Sequence, residues 1–309
     1  MKRLVTIVGP TAIGKSNLAV ELALLHNGEI IGADSRQVYR YMDIGTAKPS
    51  VEDRQKVPHH LVDFLEPDRE FSLALYLSLV RKVINEIYSR GKLPFLVGGT
   101  GLYIRSIIEG WQIPEISPDY SFRYNKEIQA FTEEGRQKLY DELCRINPAV
   151  AAKIDSRNTR RIIRALEIQS HSEELLPESV LRKPPDFYSL VIGLTASRSY
   201  LYKMADQRVD KMIKNGLVDE VKMLLEKGYD SNLPSMSGIG YRQIIKYLNG
   251  EMSLDEAVSK IKTATHRFIR RQYNWFRLND SRIHWFDCEN YAKPEIIRQV
   301  SSLILEHGG

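Results

Sequence analysis

The segment Gly9-Pro-Thr-Ala-Ile-Gly14-Lys15-Ser16 constrains this chain more than any other. It fits G-x-x-x-x-G-K-[ST] at each fixed position. It stands between a short β-rich run, Leu4–Val8, and a stretch carrying Leu18, Ala19, Leu22, Ala23 and Leu25 at helical spacing. Strand, glycine-rich turn and helix in that order form a phosphate cradle. The glycines let the backbone from Gly9 through Pro10, Thr11, Ala12, Ile13 and Gly14 wrap phosphate oxygens, with the N–H groups of the residues other than Pro10 turned inward. The following helix N-terminus adds positive potential. Lys15 reaches the outer phosphate, and the Ser16 hydroxyl can ligate Mg²⁺. The bland alternative is a glycine-rich turn with a chance lysine, which leaves both flanking elements as coincidences.

Further strands are expected at Glu29–Ala33, at His60–Asp63 (weaker) and at Leu93–Val97. Helices are expected from Ser72, a plausible N-cap, to Arg90, and again through Ile108. The alternation implies a doubly wound parallel sheet. The pattern then changes. From about Pro114 to Pro185 no strand is expected. Helical stretches at Ser121–Thr132, Arg136–Ile146 and Asn158–Gln169 are punctuated by Pro114, Pro118, Pro148, Pro177, Pro184 and Pro185. The Asn158 stretch could belong to this insertion or pack on the core. Strand character returns at Tyr188–Leu194. Helices follow at Ser199–Lys214, Val218–Glu226 and Leu254–Arg277, then a strand at Ile283–Phe286 and a closing helix from Pro294. The expected architecture is an α/β core of residues 1–113 and 188–309 with an inserted all-helical domain, 114–187.

A net charge of +5 hints at a polyanionic partner without deciding for one. Two cysteines, Cys144 and Cys288, cannot build a disulfide framework or a zinc site by themselves, so a reducing cytoplasm is the expected compartment. No apolar run approaches membrane-spanning length. The run after Lys2 and Arg3 is too short for a signal-peptide core. Nothing calls for an oligomer, so a monomer is expected.

The cradle does not say which phosphate compound it holds. ATP is the default, but ATP-hydrolysing relatives carry an Asp at the end of a strand to organise Mg²⁺ and water. Here Leu93–Val97 runs into Gly98-Gly99-Thr100, with no acid. A small kinase remains, or an enzyme with diphosphate as leaving group. Asp34 ends the second strand, at the edge where doubly wound sheets form their crevice. It is either a general base or Mg²⁺ partner, or a turn aspartate before Ser35. Arg36, Gln37 and Tyr39 follow, a mix suited to recognising a base. Arg157, Arg160, Arg161 and Arg164 form one basic cluster, suited to an RNA backbone or to ion pairs with acids such as Glu167. Arg267, Arg270, Arg271 and Arg277 interleave with Phe268, Tyr273, Trp275 and Phe276. The expected compromise is buried aromatics with some arginines facing a nucleic acid. His59 and His60 lack neighbours to complete a metal site, so a structural or substrate-loop role is expected.

Seven segments in order resemble the tRNA dimethylallyltransferases, also called tRNA isopentenyltransferases. They are GPTAIGKS at Gly9–Ser16, DSRQVYRYMDIGTAKP at Asp34–Pro49, HHLVD at His59–Asp63, LVGGTGLY at Leu96–Tyr103, RRIIRALEI at Arg160–Ile168, GIGYRQ at Gly238–Gln243 and RRQYNWFR at Arg270–Arg277. The resemblance implies a P-loop-kinase-like core whose loop has been turned to dimethylallyl diphosphate, with occupation by ATP as well left open. The acceptor would be the amine of the adenosine immediately 3′ of the anticodon, presented by the tRNA anticodon stem-loop. Thr11, Gly14, Lys15 and Ser16 would hold diphosphate and Mg²⁺, and Arg208 would clamp the diphosphate further. Asp34 would accept the amine proton, with Thr100 near both reactants. Asp34, Ser35, Arg36, Gln37, Thr100, Arg123, Asn158, Thr159, Arg160, Arg161 and Ile162 would touch tRNA. No Cys/His set suited to a zinc finger follows the core, so the resemblance is to the bacterial form. The rival activities are a small-molecule kinase, which would consume ATP, and a non-catalytic RNA-binding protein that keeps the fold.

Overall fold

A computed structural model describes residues 2–113, 119–170 and 181–306. Pro114, Pro118 and Pro177, and with them the expected insertion boundary at residue 114, lie outside the described residues. The chain divides into two compact units, Met1–Glu109 with Pro185–Gly309, and Gly110–Pro184.

The larger unit begins with β1 (Lys2–Val8), α1 (Lys15–Leu25), β2 (Gly28–Gly32), α2 (Val51–Lys56), β3 (His59–His60), α3 (Leu73–Ser89), β4 (Leu93–Val97) and α4 (Gly101–Ile108). The smaller unit holds β5 (Trp111–Gln112), α5 (Tyr120–Gln129), α6 (Glu133–Ile146), α7 (Pro148–Ala151), α8 (Thr159–Ser170) and β6 (Leu181–Arg182). The larger unit resumes with β7 (Phe187–Thr195), α9 (Arg198–Lys214), α10 (Leu217–Glu226), α11 (Tyr241–Leu248), α12 (Leu254–Trp275), β8 (Ile283–Asp287) and α13 (Lys293–Glu306).

The sheet order is β3-β2-β4-β1-β7-β8, and every pairing is parallel. The chain steps outward from β1 to β2 and β3, returns to β4 beside β1, then crosses to β7 on the other flank. β1 therefore lies at a switch in strand order, where the loops at the carboxyl ends part into a crevice. Its residues Leu4, Ile7 and Val8 have no exposed surface, as expected of a strand buried on both faces. Two apolar cores flank the crevice. One gathers Ile7, Leu18, Leu22, Phe95, Ile192, Ala205 and Ile269. The other gathers Val38, Met42, Val209, Val221, Met236, Tyr241 and Ile261. Helices α9 and α12 supply residues to both, which fixes them across the crevice.

Local signals explain most boundaries. Ser72 accepts the Leu75 N–H at 3.1 Å and starts α3. Ser253 and Glu256 close a reciprocal capping box on α12. The third strand is shorter than expected and ends at His60, because Leu61 and Asp63 take left-handed backbone angles of 57° and 59°. Helix α11 has no sequence signal of the usual kind: its N-cap is Gly240, and Gln243 accepts the Gly240 N–H.

In the smaller unit the expectation of an all-helical insertion needs correction. Trp111 and Gln112 pair antiparallel with Arg182 and Leu181. Two-residue strands are too short to show alternation. Phe187, placed in the insertion by sequence, pairs with Lys2 and begins β7. Helix α8 packs with α5, α6 and α7 around Leu139, Leu143, Ile162, Ile163 and Leu166, and does not belong to the sheet's cores. No helix among the described residues is long and apolar enough to cross a membrane.

Candidate active site

The Gly9–Ser16 turn leaves β1 with Gly9 at φ 140°, where a Cβ would lie 2.5 Å from the Leu194 carbonyl oxygen. Ala12 (φ 67°) and Gly14 (φ 97°) also take left-handed angles. Such a turn aims successive N–H groups at one point. No side chain caps α1 at Gly14, so its first-turn amides remain for an anion. Ser16 is exposed in that turn.

Lys15 donates to the Pro10 carbonyl at 2.8 Å. Its ammonium lies 4.0 Å from where a Cβ of Gly99 would stand, so it spans from α1 to the loop after β4. It keeps some exposure to solvent, yet burial first, and repulsion from Arg208 second, push it down to about 7, while Asp34 pulls the other way. Arg208, on α9, donates to the Thr11 hydroxyl at 3.2 Å and to the Thr46 carbonyl at 3.5 Å. Burial lowers its pKa too, and Asp34 again opposes. The carboxylate of Asp34 thus acts on both cations from across the crevice without an ion pair to either.

Asp34 follows β2. Its Oδ1 accepts the Arg36 N–H at 2.9 Å, so it makes the local turn bond and still faces the cleft. Thr100 accepts the Ser35 N–H at 3.1 Å, which ties the loop after β4 to the loop after β2. These residues line one cavity of about 720 Å³, with Thr11, Asp34, Thr100 and Arg208 among its polar lining and Val209, Met212, Ile261 and Phe268 among its apolar lining. A second cleft of about 380 Å³, lined by Arg105, Arg277 and Arg282, contains no residue of the phosphate turn.

The cavity brings together Thr11, Asp34, Ser35, Arg36, Thr100 and Arg208. Arg36 is held by its own chain: it donates to the Pro234 and Ser235 carbonyls and to the Ser237 hydroxyl. Gln37 donates to the Thr46 and Ala47 carbonyls. Arg123 and Asn158–Ile162 belong to the smaller unit. There Arg123 donates to the fully buried Glu167 at 2.9 Å. Arg160 and Arg161 are exposed, and Asn158 caps α8 through the Arg161 N–H. Ile162 has no exposed surface, so its side chain belongs to that unit's core and not to a contact face. His60 bonds Glu29 at 2.6 Å, a structural role. The aromatic stretch at the end of α12 and its C-cap, Phe276, also departs from expectation. Only Phe276 is buried, while Phe268 and Trp275 are each 36% exposed and line the cavity with Arg267 and Arg271.

Sequence reading missed three supports. Glu220 accepts the N–H groups of Asp43, Ile44 and Gly45 and the Tyr241 hydroxyl, and so shapes the loop that offers the Thr46 carbonyl to Arg208. Tyr241 fits because Gly45 has no Cβ to meet its ring. Gln272 bridges the phosphate turn to Gly99. Its signal was readable: a polar residue on the apolar stripe of Ile261 and Ile269.

A family model for IPP transferases matches residues 37–279, and one for isopentenyl transferases matches residues 2–63. A tRNA dimethylallyltransferase of Roseiflexus sp. (strain RS-1) is 50% identical over 274 residues, covering 89% of this chain and 90% of that relative. The crystal structure of the tRNA isopentenylpyrophosphate transferase of Bacillus halodurans superposes with a TM-score of 0.73 at 40% identity, covering 99% of this chain and 96% of that one. A eukaryotic dimethylallyltransferase captured acting on tRNA gives a TM-score of 0.79 at 25% identity, over 99% of this chain and 80% of that one. The chain belongs to the tRNA dimethylallyltransferase family.

Proposed function

We propose that this protein transfers a dimethylallyl group from dimethylallyl diphosphate to the N6 amine of the adenosine immediately 3′ of the anticodon in tRNA, releasing diphosphate. One observation carries the reading. A single cavity is lined by Thr11 of the phosphate turn, by Arg208 of α9 and by Asp34, together with apolar residues of α9 and α12 suited to a short prenyl chain.

The adenine amine is a poor nucleophile, because its lone pair is delocalised into the ring. Asp34 orients the N–H and takes its proton as the new C–N bond forms. The C–O bond to diphosphate breaks, and charge grows on the leaving oxygens. Lys15, Arg208 and the amides of the turn oppose that charge more strongly as the bond lengthens. The target base must leave its stack, at a cost of about a few kcal/mol. Phe268 and Trp275, both partly exposed beside Arg267 and Arg271, offer surfaces for such a base.

Mg²⁺ is the proposed cofactor. Among the described residues no cluster of three or more His, Cys, Asp or Glu side chains forms a metal cage. The Ser16 hydroxyl, exposed in the first turn of α1, is the protein group that would hold the cation. The cation would help neutralise the departing diphosphate. The same reading has the protein meet its tRNA as a monomer in the cytoplasm.

The test is mass spectrometry of tRNA nucleosides after incubation with protein, dimethylallyl diphosphate and Mg²⁺. The expected product is an adenosine carrying one added five-carbon unit. Labelled ATP run in parallel should transfer nothing, and phosphorylation of a small acceptor from ATP would replace this reading with a kinase.

A further inference from the structure

Among the buried residues of α12, Ala257, Ile261, Ile269 and Gln272, only Gln272 is polar, and it is 3% exposed. Both ends of its amide are engaged. Oε1 accepts the Thr11 N–H at 2.8 Å, and Nε2 donates to the Gly99 carbonyl at 3.1 Å. The two partners belong to different loops. Thr11 lies in the turn after β1, where its hydroxyl takes Arg208. Gly99 precedes Thr100, which is bonded to Ser35 beside Asp34. One amide therefore stands between the leaving-group side of the cavity and the acceptor side. The contact depends on a missing side chain, since a Cβ on Gly99 would lie 2.4 Å from Nε2.

We propose that Gln272 is a positioning residue for the transfer. It sets the spacing between the diphosphate cradle and the carboxylate that receives the amine proton. The inference rests on the function proposed above and acts through Thr11 and Gly99, with no contact to substrate required. Spacing matters because the amine must approach the allylic carbon in line with the departing oxygen. A shift of about 1 Å in such a geometry costs on the order of 10²-fold in rate.

The experiment compares kcat and KM of the full chain with those of Gln272→Met and Gln272→Glu across pH. Methionine keeps the length and removes both bonds. Its kcat should fall on the order of 10²-fold while KM for tRNA stays near that of the wild type. Glutamate keeps an acceptor for Thr11, but as a carboxylate it sets a second oxygen against the Gly99 carbonyl. Once protonated, its hydroxyl donates to Gly99 and its carbonyl accepts from Thr11, as the amide does. The Gln272→Glu rate relative to wild type should therefore rise as pH falls, while the Gln272→Met ratio stays flat. A purely structural glutamine would lower the melting temperature of both variants and leave the rate per folded molecule unchanged. That outcome, or a pH-independent Gln272→Glu ratio, overturns the proposal. A wild type that transfers no dimethylallyl group sinks the proposed function and this inference together. A competent wild type matched by Gln272→Met sinks this inference alone.

Discussion

Two groups of basic side chains that the fold brings together differ in what meets them. In the larger unit, Lys15 and Arg208 converge on the phosphate turn, and neither forms an ion pair among the described residues. Burial lowers the pKa of both, and Arg208 lowers that of Lys15 further. In the smaller unit, Arg123 and Arg164 both donate to the buried Glu167, which also accepts the Asp119 N–H. Burial disfavours the charge on Glu167, but these bonds outweigh it and hold its carboxyl below the usual range. In the second cluster each arginine meets a carboxylate at contact distance. The first holds positive charge that the protein leaves uncompensated at contact distance, and an anion would settle it. A count of arginines therefore does not locate a phosphate site. The balance of charge around them does.

The sharpest way to break the comparison is at the acid facing the uncompensated pair. Asp34→Ala should lower single-turnover transfer on the order of 10²–10⁴-fold, the range for a lost general base. Filter binding should show tRNA affinity little changed. Asp34→Asn keeps an acceptor for the Arg36 N–H and should be equally slow. If affinity falls as far as rate, Asp34 is a binding residue and not the base. Next in size is Lys15→Ala. It should cost on the order of 10²–10³-fold in transfer, with the loss visible as weaker binding of dimethylallyl diphosphate. Arg123→Ala, taken from the second cluster, should leave that affinity unchanged. Equal losses from both would erase the distinction.

The same contrast shows what was legible in the sequence. The phosphate turn was, because its glycine spacing and flanking elements are local. Asp34 was legible as lying at the carboxyl end of the second strand, although that strand stops two residues earlier, at Gly32, and β4 and α4 were bounded correctly because each ends on glycine or a buried apolar run. Partners distant in sequence were not. Arg36 and Gln37 read as part of a mix suited to recognising a base, and their bonds to carbonyls at residues 234–235 and 46–47 carried no local signal. Ile162 stood inside a basic motif and turned out to face its own core. Glu220 reaches the loop at Asp43–Gly45 across some 175 residues of chain, and no local pattern announces such a bond. Spacing along the chain predicts which face a residue occupies, but not which charge already waits there.

The second cluster should reveal itself in stability. Glu167→Ala removes the buried acceptor that Arg123, Arg164 and the Asp119 N–H share in the smaller unit, and breaking a buried charged group away from its partners costs about 3–5 kcal/mol. Denaturant unfolding should register that loss, while dimethylallyl diphosphate binding, measured where the protein is still folded, should hold. An effect under about 1 kcal/mol would class the cluster with exposed ion pairs.

The finest distinction is in pH. Lys15 has been pushed down to about 7, largely by burial. An arriving diphosphate favours the ammonium form, so binding takes up a proton wherever the lysine is neutral beforehand. That is the case above pH 7, and below it the group is already charged. This contribution to affinity should be flat at low pH and weaken at most tenfold per unit above 7. The ligand's own phosphate ionisation runs the opposite way and nearer pH 6, so it is nearly complete where the lysine effect grows. Lys15→Arg carries its charge throughout and should lose the decline. Calorimetry in two buffers of different ionisation enthalpy should count an uptake approaching one proton well above pH 7. Affinity that keeps tightening from pH 7 to 9 would mean that Lys15 stays charged in the protein alone, and that the two clusters differ in their partners but not in the strain on their charges.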